Sequence, residues 1–220
     1  MEFTTFEVLG PIMVGPSSSH TAGACRIAKV ASKICSSGFN SVDFYLHGSF
    51  KATYKGHGTD KALIGGTLGF DTDDPRMEKA FEEAKEKGLN YSFHAVDLGE
   101  EYHPNSVKIV YNYDDHTEYV IGSSIGGGAM VIVNINGMAV EFRGKFPTLL
   151  MQYKEQKGVI AYVSSILSGN SYNIESINTV KNPLTEMVTL TVEVEKSLPN
   201  WIKDAILDYE NFITAKYVEV

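Results

Sequence analysis

Lys157-Gly158-Val159-Ile160-Ala161-Tyr162-Val163-Ser164-Ser165-Ile166-Leu167 is a loop running into a helix, and what flanks it decides the fold of the C-terminal part. The apolar positions after Gly158 recur at helical spacing, which predicts a helix over Val159–Ser168. Upstream, Thr148–Tyr153 reads as a strand and Lys154–Gly158 as a loop. Downstream come strands at Ile174–Lys181 and Met187–Glu195, a helix at Pro199–Tyr209 and a strand at Ile213–Glu219. Within Met187–Glu195, Thr189, Thr191 and Glu193 alternate with Leu190, Val192 and Val194, as a half-buried strand requires. The order is β-α-β-β-α-β, a ferredoxin-like plan.

The N-terminal part has helices first and strands later. Thr21–Ser36 carries a wide apolar face made by Ala22, Cys25, Ile27, Ala28, Val30, Ala31 and Ile34, with Gly38 as a stop. Ser41–Leu46 alternates as a strand. A second helical stretch runs from about Phe50 to Gly69, and Met77–Lys87 is a charged, exposed helix after Pro75. Strands follow at Tyr91–Val96, Val107–Tyr113, Glu118–Ile125 and Met130–Ile135, with a hairpin turn around Asp114-Asp115-His116. The pattern predicts α+β for the whole chain, with a first domain over 1–145 and a second over 146–220.

The chain has 220 residues, 43% hydrophobic and 21% charged, with a net charge of -8. That is enough to bury a core without disulfides. The acidic balance and the lack of a basic run speak against nucleic acid as a partner. No apolar run reaches about 18 residues, so no segment is expected to span a bilayer. The start, MEFTTFEVLGPIMVGPSSSH, has no basic region of the signal-peptide kind. The expectation is a soluble cytoplasmic protein.

Three polar constellations stand out. Gly15-Pro16-Ser17-Ser18-Ser19-His20-Thr21-Ala22-Gly23 sets several hydroxyls at a helix start. Unpaired N–H groups and partial positive charge there suit a carboxylate or phosphate, although one serine alone would be explained as a cap. Lys55-Gly56-His57-Gly58-Thr59-Asp60 puts a histidine between glycines, where backbone can approach a ligand and the imidazole can move a proton. The other reading is a turn before a capped helix. His103-Pro104-Asn105-Ser106 is a loop entering a strand, either a held but reachable histidine or a structural turn. A zinc site of His20, His57 and His103 is a further alternative, without any local i, i+4 ligand pair. His47, His94 and His116 have no such context.

Cys25 and Cys35 are the only cysteines, ten apart in the expected first helix. A four-iron cluster takes three or four thiolates, so this chain cannot house one alone. No pyridoxal phosphate lysine motif, Walker motif or dinucleotide fingerprint is present. Gly126-Gly127-Gly128 is expected to be a turn between strands.

In series, GPSSSHTAG, GHGTDKALIGGTLG and HPNS resemble the beta portion of bacterial iron–sulfur-dependent L-serine dehydratases. The segment from Lys157 to Leu167, followed by Tyr172-Asn173-Ile174, resembles an ACT domain, a small-molecule sensing module. The resemblance implies conversion of L-serine to pyruvate and ammonia, with a 4Fe-4S cluster acting as Lewis acid. The cluster's cysteines would belong to an alpha portion, here expected as a separate cysteine-rich alpha subunit, with no metal ligand in this chain. The N-terminal half resembles an allosteric substrate-binding domain. The family's motif positions fall on His57, His20 and His103 as catalytic groups. They fall on Ser17, Ser18, Ser19, Thr21, Thr59 and Asn105 as substrate-binding groups. Gly158 and Asn173 fall where paired ACT domains often hold an amino acid. Side-by-side ACT pairing would cover open strand edges, so the isolated chain is expected to be a homodimer. Two other functions stay open from the sequence: a stand-alone amino-acid sensor, and a metal-dependent hydrolase built on the three histidines.

Overall fold

The computed structural model describes residues 12–219. They form two compact units, one ending at Gly137 and the other starting at Met138, each mixing helices with a sheet. In the first unit a π-turn, Ser18–Ala22, leads into α1 (Gly23–Ile34). Then come β1 (Ser41–Leu46), α2 (Gly48–Thr53), α3 (Thr59–Thr67), a 3₁₀ turn (Pro75–Lys79) and α4 (Ala80–Glu86). Strands β2 (Asn90–Ala95), β3 (Ser106–Asn112), β4 (Thr117–Gly126) and β5 (Ala129–Ile135) follow. They stand in the order β2-β1-β3-β4-β5, parallel between β1 and β2 and antiparallel elsewhere.

Alternation explains β1: Val42, Phe44 and Leu46 are buried, while Ser41, Asp43 and Tyr45 take the other face. α1 is rich in small buried residues, and α3 lies close against it. At Gly66 of α3 a Cβ would fall 2.2 Å from the Cys25 carbonyl oxygen. Gly66, which weakens α3 as a helix on its own, is therefore what lets it touch α1.

The structure corrects the sequence reading in four places. The expected helix over Phe50–Gly69 is two helices: α2 ends at Thr53, and after a turn Gly58, at φ +65°, is the residue before α3. The Met77–Lys87 helix starts instead as a 3₁₀ turn at Pro75, with the Asp74 side chain accepting from the Arg76 N–H. Cys35 lies past the end of α1 in extended backbone, so the cysteines do not share one helix, although both are buried. A strand absent from the sequence reading, β6 (Met138–Phe142), opens the second unit. Gly126-Gly127-Gly128 does join β4 to β5, with φ of +100°, +60° and +76°. The Arg26 side chain holds that turn by donating to the Gly128 carbonyl at 3.1 Å.

The second unit continues with β7 (Thr148–Lys154), α5 (Val159–Gly169), β8 (Ile174–Lys181), β9 (Met187–Val194), α6 (Asn200–Leu207) and β10 (Thr214–Val218). Its sheet runs β10-β7-β9-β8, antiparallel throughout. Leu149 and Met151 of β7, Val163 and Leu167 of α5, and Ile202 and Ile206 of α6 share one core. The i, i+4 spacing within each helix puts both of its residues on one face. Among the described residues no helix is long and apolar enough to cross a membrane.

The cysteines are inert in this setting. The Cys25 thiol donates to the Phe70 carbonyl at 3.5 Å, and burial pushes its pKa up to about 12. The reactive thiolate is thus absent at neutral pH. Iodoacetamide at pH 8 is expected to leave Cys25 and Cys35 unlabelled in the native chain and to label both in urea. Mass spectrometry showing fast native labelling of Cys25 would contradict this packing.

Candidate active site

The N-terminal start of α1 gathers residues from distant segments. Ser17 caps it: its Oγ accepts the His20 N–H at 3.2 Å, and its carbonyl accepts the Thr21 N–H at 2.8 Å. The Gly23 N–H donates to the Ser18 carbonyl five residues back, which makes the first turn wider than an α-turn. Around this turn Ser19 Oγ lies 3.0 Å and Ser17 Oγ 3.4 Å from His20 Nδ1. His20 Nε2 lies 2.9 Å from Ser49 Oγ. The His20 ring sits 4.7 Å from the His57 ring and 5.3 Å, edge-on, from Phe50.

The turn before α3 brings His57 there. The Thr21 hydroxyl donates to the His57 carbonyl at 2.8 Å. His57 Nδ1 and Thr59 Oγ1 are buried with no hydrogen-bond partner among the described residues. Thr21 and Gly58 also border a cleft of about 290 Å³ whose walls carry Lys55, Asp60 and Lys61. Burial raises the Asp60 carboxyl pKa.

The third segment arrives through backbone. The Ser49 N–H donates to the Pro104 carbonyl at 2.7 Å. Gly48, at φ +54°, makes room, since a Cβ there would sit 2.5 Å from that oxygen. The Ser124 N–H donates to the Asn105 carbonyl at 2.9 Å, and Ser106 Oγ meets Ser123 Oγ at 2.7 Å. At Gly23 a Cβ would lie 2.1 Å from Ser124 Oγ, so the start of α1 rests directly on the end of β4.

Of the residues singled out from sequence, Ser17, Ser19, His20 and His57 converge, and Ser18 lies within the same turn. Thr21 and Thr59 are 3% and 0% exposed, and the Thr21 hydroxyl is used to hold the His57 backbone. His103 is exposed; its Nδ1 accepts the Asn105 N–H at 3.1 Å within its own loop. Gly158, in the second unit, is the exposed residue before α5 with φ +93°. Asn173, also exposed, donates its side-chain amide to Glu175 at 3.4 Å. Ser49, Ser106, Ser123 and Ser124 were not legible as site residues. Ser49 lies in the first turn of α2, Ser106 opens β3, and Ser123 and Ser124 are neighbours inside β4, so each reads as an ordinary residue of its element. Among the described residues no three His, Cys, Asp or Glu side chains converge as metal ligands would.

Burial, and secondly the neighbouring His57, lower the His20 pKa below its usual 6.5. His20 is therefore a neutral imidazole at neutral pH, able to accept a proton. In the unfolded chain it titrates near its ordinary value, so on acidification the unfolded state binds the proton first. Stability is then expected to fall as pH drops from about 6.5 toward the lower folded pKa. Melting curves between pH 8 and 5 should show a larger loss for the wild type than for His20→Gln. Equal losses would count against the burial of this ring.

Together these features define a class: a two-unit α+β protein whose first unit carries an imidazole and hydroxyl cluster at a helix start, a setting suited to a small anionic ligand. The family model described as serine dehydratase beta chain matches residues 5–134, which include all three segments. Over 220 residues the chain is 64% identical to the L-serine dehydratase beta chain of Peptoniphilus asaccharolyticus, covering 100% of this chain and 99% of that one. It is 36% identical over 210 residues to the probable L-serine dehydratase beta chain of Bacillus subtilis (strain 168), covering 96% and 95%. The D-3-phosphoglycerate dehydrogenase of Bacillus subtilis (strain 168) is 23% identical over 166 residues, 73% of this chain and 30% of that one. The chain belongs to the serine dehydratase beta chain family.

Proposed function

We propose that this chain is the beta subunit of an L-serine dehydratase, an L-serine ammonia-lyase that forms pyruvate and ammonia together with a separate alpha subunit. The observation that carries the reading is the contact of His20 with His57 at 4.7 Å beside the hydroxyls of Ser17, Ser19 and Ser49. In the reaction L-serine loses its α-proton and its hydroxyl as water, and the resulting enamine passes to the imine, which hydrolyses to pyruvate and ammonia. The first-turn N–H groups and the serine hydroxyls would receive the carboxylate. An imidazole, that of His57 or of His20, would handle the α-proton.

The 4Fe-4S cluster of the proposed enzyme does not fit this chain. Only two cysteines are present; both are buried, and Cys25 holds its proton. The cluster would belong to the alpha subunit. In the second unit, the β-α-β-β-α-β order with sheet β10-β7-β9-β8 supports an ACT-type regulatory module. Such a module would pair two chains and place Gly158 and Asn173 toward an amino-acid effector. The full-length likeness to a dehydratase beta chain favours this function over a stand-alone sensor. A cytoplasmic location goes with the same reading.

The test is anaerobic co-expression with a cysteine-rich alpha chain, followed by serine-to-pyruvate assays of each chain alone and of the pair. Activity in the pair alone is expected. Serine binding by this chain with no activity in the pair would favour the sensor. Light scattering of the isolated chain is expected to give a dimer.

A further inference from the structure

Ser49 belongs to none of the motifs, yet it touches two of the three segments. Its hydroxyl lies 2.9 Å from His20 Nε2, and its N–H donates to the Pro104 carbonyl at 2.7 Å. Its carbonyl accepts the Thr53 hydroxyl at 2.8 Å, and the next residue, Phe50, is fully buried against the His20 ring. A serine in the first helical turn usually turns its hydroxyl onto a nearby backbone N–H. Here the hydroxyl is aimed at an imidazole instead.

The chemistry of that imidazole makes the contact consequential. Neutral imidazole has one N–H and one lone pair, and which nitrogen carries the proton follows from the partner of the other. His20 Nδ1 faces Ser19 and Ser17, and Nε2 faces Ser49. The ring is thus held at both nitrogens, and His57, the titratable group against its face, meets it in one orientation. Gly48 places this hydroxyl, since its positive φ and missing Cβ let the Pro104 carbonyl reach the Ser49 N–H.

We propose that Ser49 is a positioning residue: its hydroxyl fixes the orientation of the His20 ring and, together with Ser17 and Ser19 at the other nitrogen, selects its tautomer, while its backbone ties the 103–106 loop to the same point. The role within catalysis rests on the dehydratase reading, whereas the effect on the imidazole does not.

Two measurements separate the two. In the full chain labelled with ¹⁵N-histidine, the His20 ring shifts should report a single tautomer. Ser49→Ala should populate both tautomers, and Ser49→Thr should restore the wild-type pattern. In the assembled pair, Ser49→Ala should lower kcat by about 10- to 100-fold with KM changed less than about twofold, as expected when a proton-transfer group loses its orientation. Ser49→Thr should recover most of that loss. Ser49→Cys, which keeps the volume with a weaker donor, gives the same comparison should the alanine variant fold poorly. An unchanged tautomer pattern in Ser49→Ala overturns the proposal, as does wild-type kcat in the pair carrying it. A wild-type pair that forms no pyruvate overturns the dehydratase reading instead, and the spectrum alone then decides for or against Ser49.

Discussion

His57→Ala in the assembled pair is expected to lower kcat by about 100- to 10,000-fold, the range for loss of a positioned acid–base group. The His57 ring lies against His20, and its Nδ1 is buried without a partner among the described residues. Such a group costs stability unless something it meets in use repays the burial. Its backbone is held independently, through the Thr21 hydroxyl on its carbonyl and the Thr53 carbonyl on its N–H. Removing the ring should therefore leave the turn in place. His57→Asn should lose as much as His57→Ala, because an amide cannot take up a proton, while the melting temperature of both stays near that of the wild type. Steady-state pyruvate formation decides it: kcat within about tenfold of wild type for either variant would remove His57 from proton transfer.

Gly66→Ala is expected to cost a large share of the stability of the first unit. The added Cβ would meet the Cys25 carbonyl oxygen at 2.2 Å and Ala28 Cβ at 2.9 Å. No side-chain rotation relieves a clash with backbone, and α1 cannot back away freely. It is stopped by Ser124 at Gly23 and by Gly122, where a Cβ would lie 2.5 Å from Ile27. Overpacking of this kind costs about 3 kcal/mol, at the upper end of the usual range. That corresponds to a melting temperature roughly 6–12 °C lower for a chain of this size. Gly69→Ala is the control. It meets nothing within 4 Å and carries only the strain of φ +87°, a cost of about 1 kcal/mol. Thermal and urea unfolding of the two variants side by side would settle the ranking, and a Gly66→Ala protein that melts like wild type would refute the close α1–α3 contact.

The elements that could be read from sequence are those whose side chains alternate or recur without interruption. β1 has the expected bounds, and the six elements from Thr148 onward appear in the expected order. The failures have local causes. The long helix fails at Lys55-Gly56-His57-Gly58, four residues without an apolar side chain, where α2 has ended at Thr53 and left-handed Gly58 starts α3 afresh. β6 is five residues long with two buried positions, Val140 and Phe142. The serine run was legible because three hydroxyls exceed what a cap uses, and His57 because glycines frame it. Ser106 and Ser123 become neighbours only through the β3–β4 register, and Ser124 meets Gly23 only through packing. Ser49 reaches His20 across 29 residues of chain. None of these relations leaves a mark in local sequence.

The π-turn at Ser18–Ala22 has a consequence for how such a chain tolerates insertions and deletions. A π-turn spends one residue more than an α-turn on the same backbone bond. Removing Ser18 would leave a regular helix start, with α1 and its core contacts undisturbed. Everything upstream of the deletion would swing by about 100° around the axis, the angle one residue occupies in a helix. Ser17 would then leave His20. Loss of Ser18 should yield a protein that still folds around α1, though less stable by the upstream bonds to Thr72, yet silent in the assay, so abundance would be a poor guide to which length variants of this chain still work.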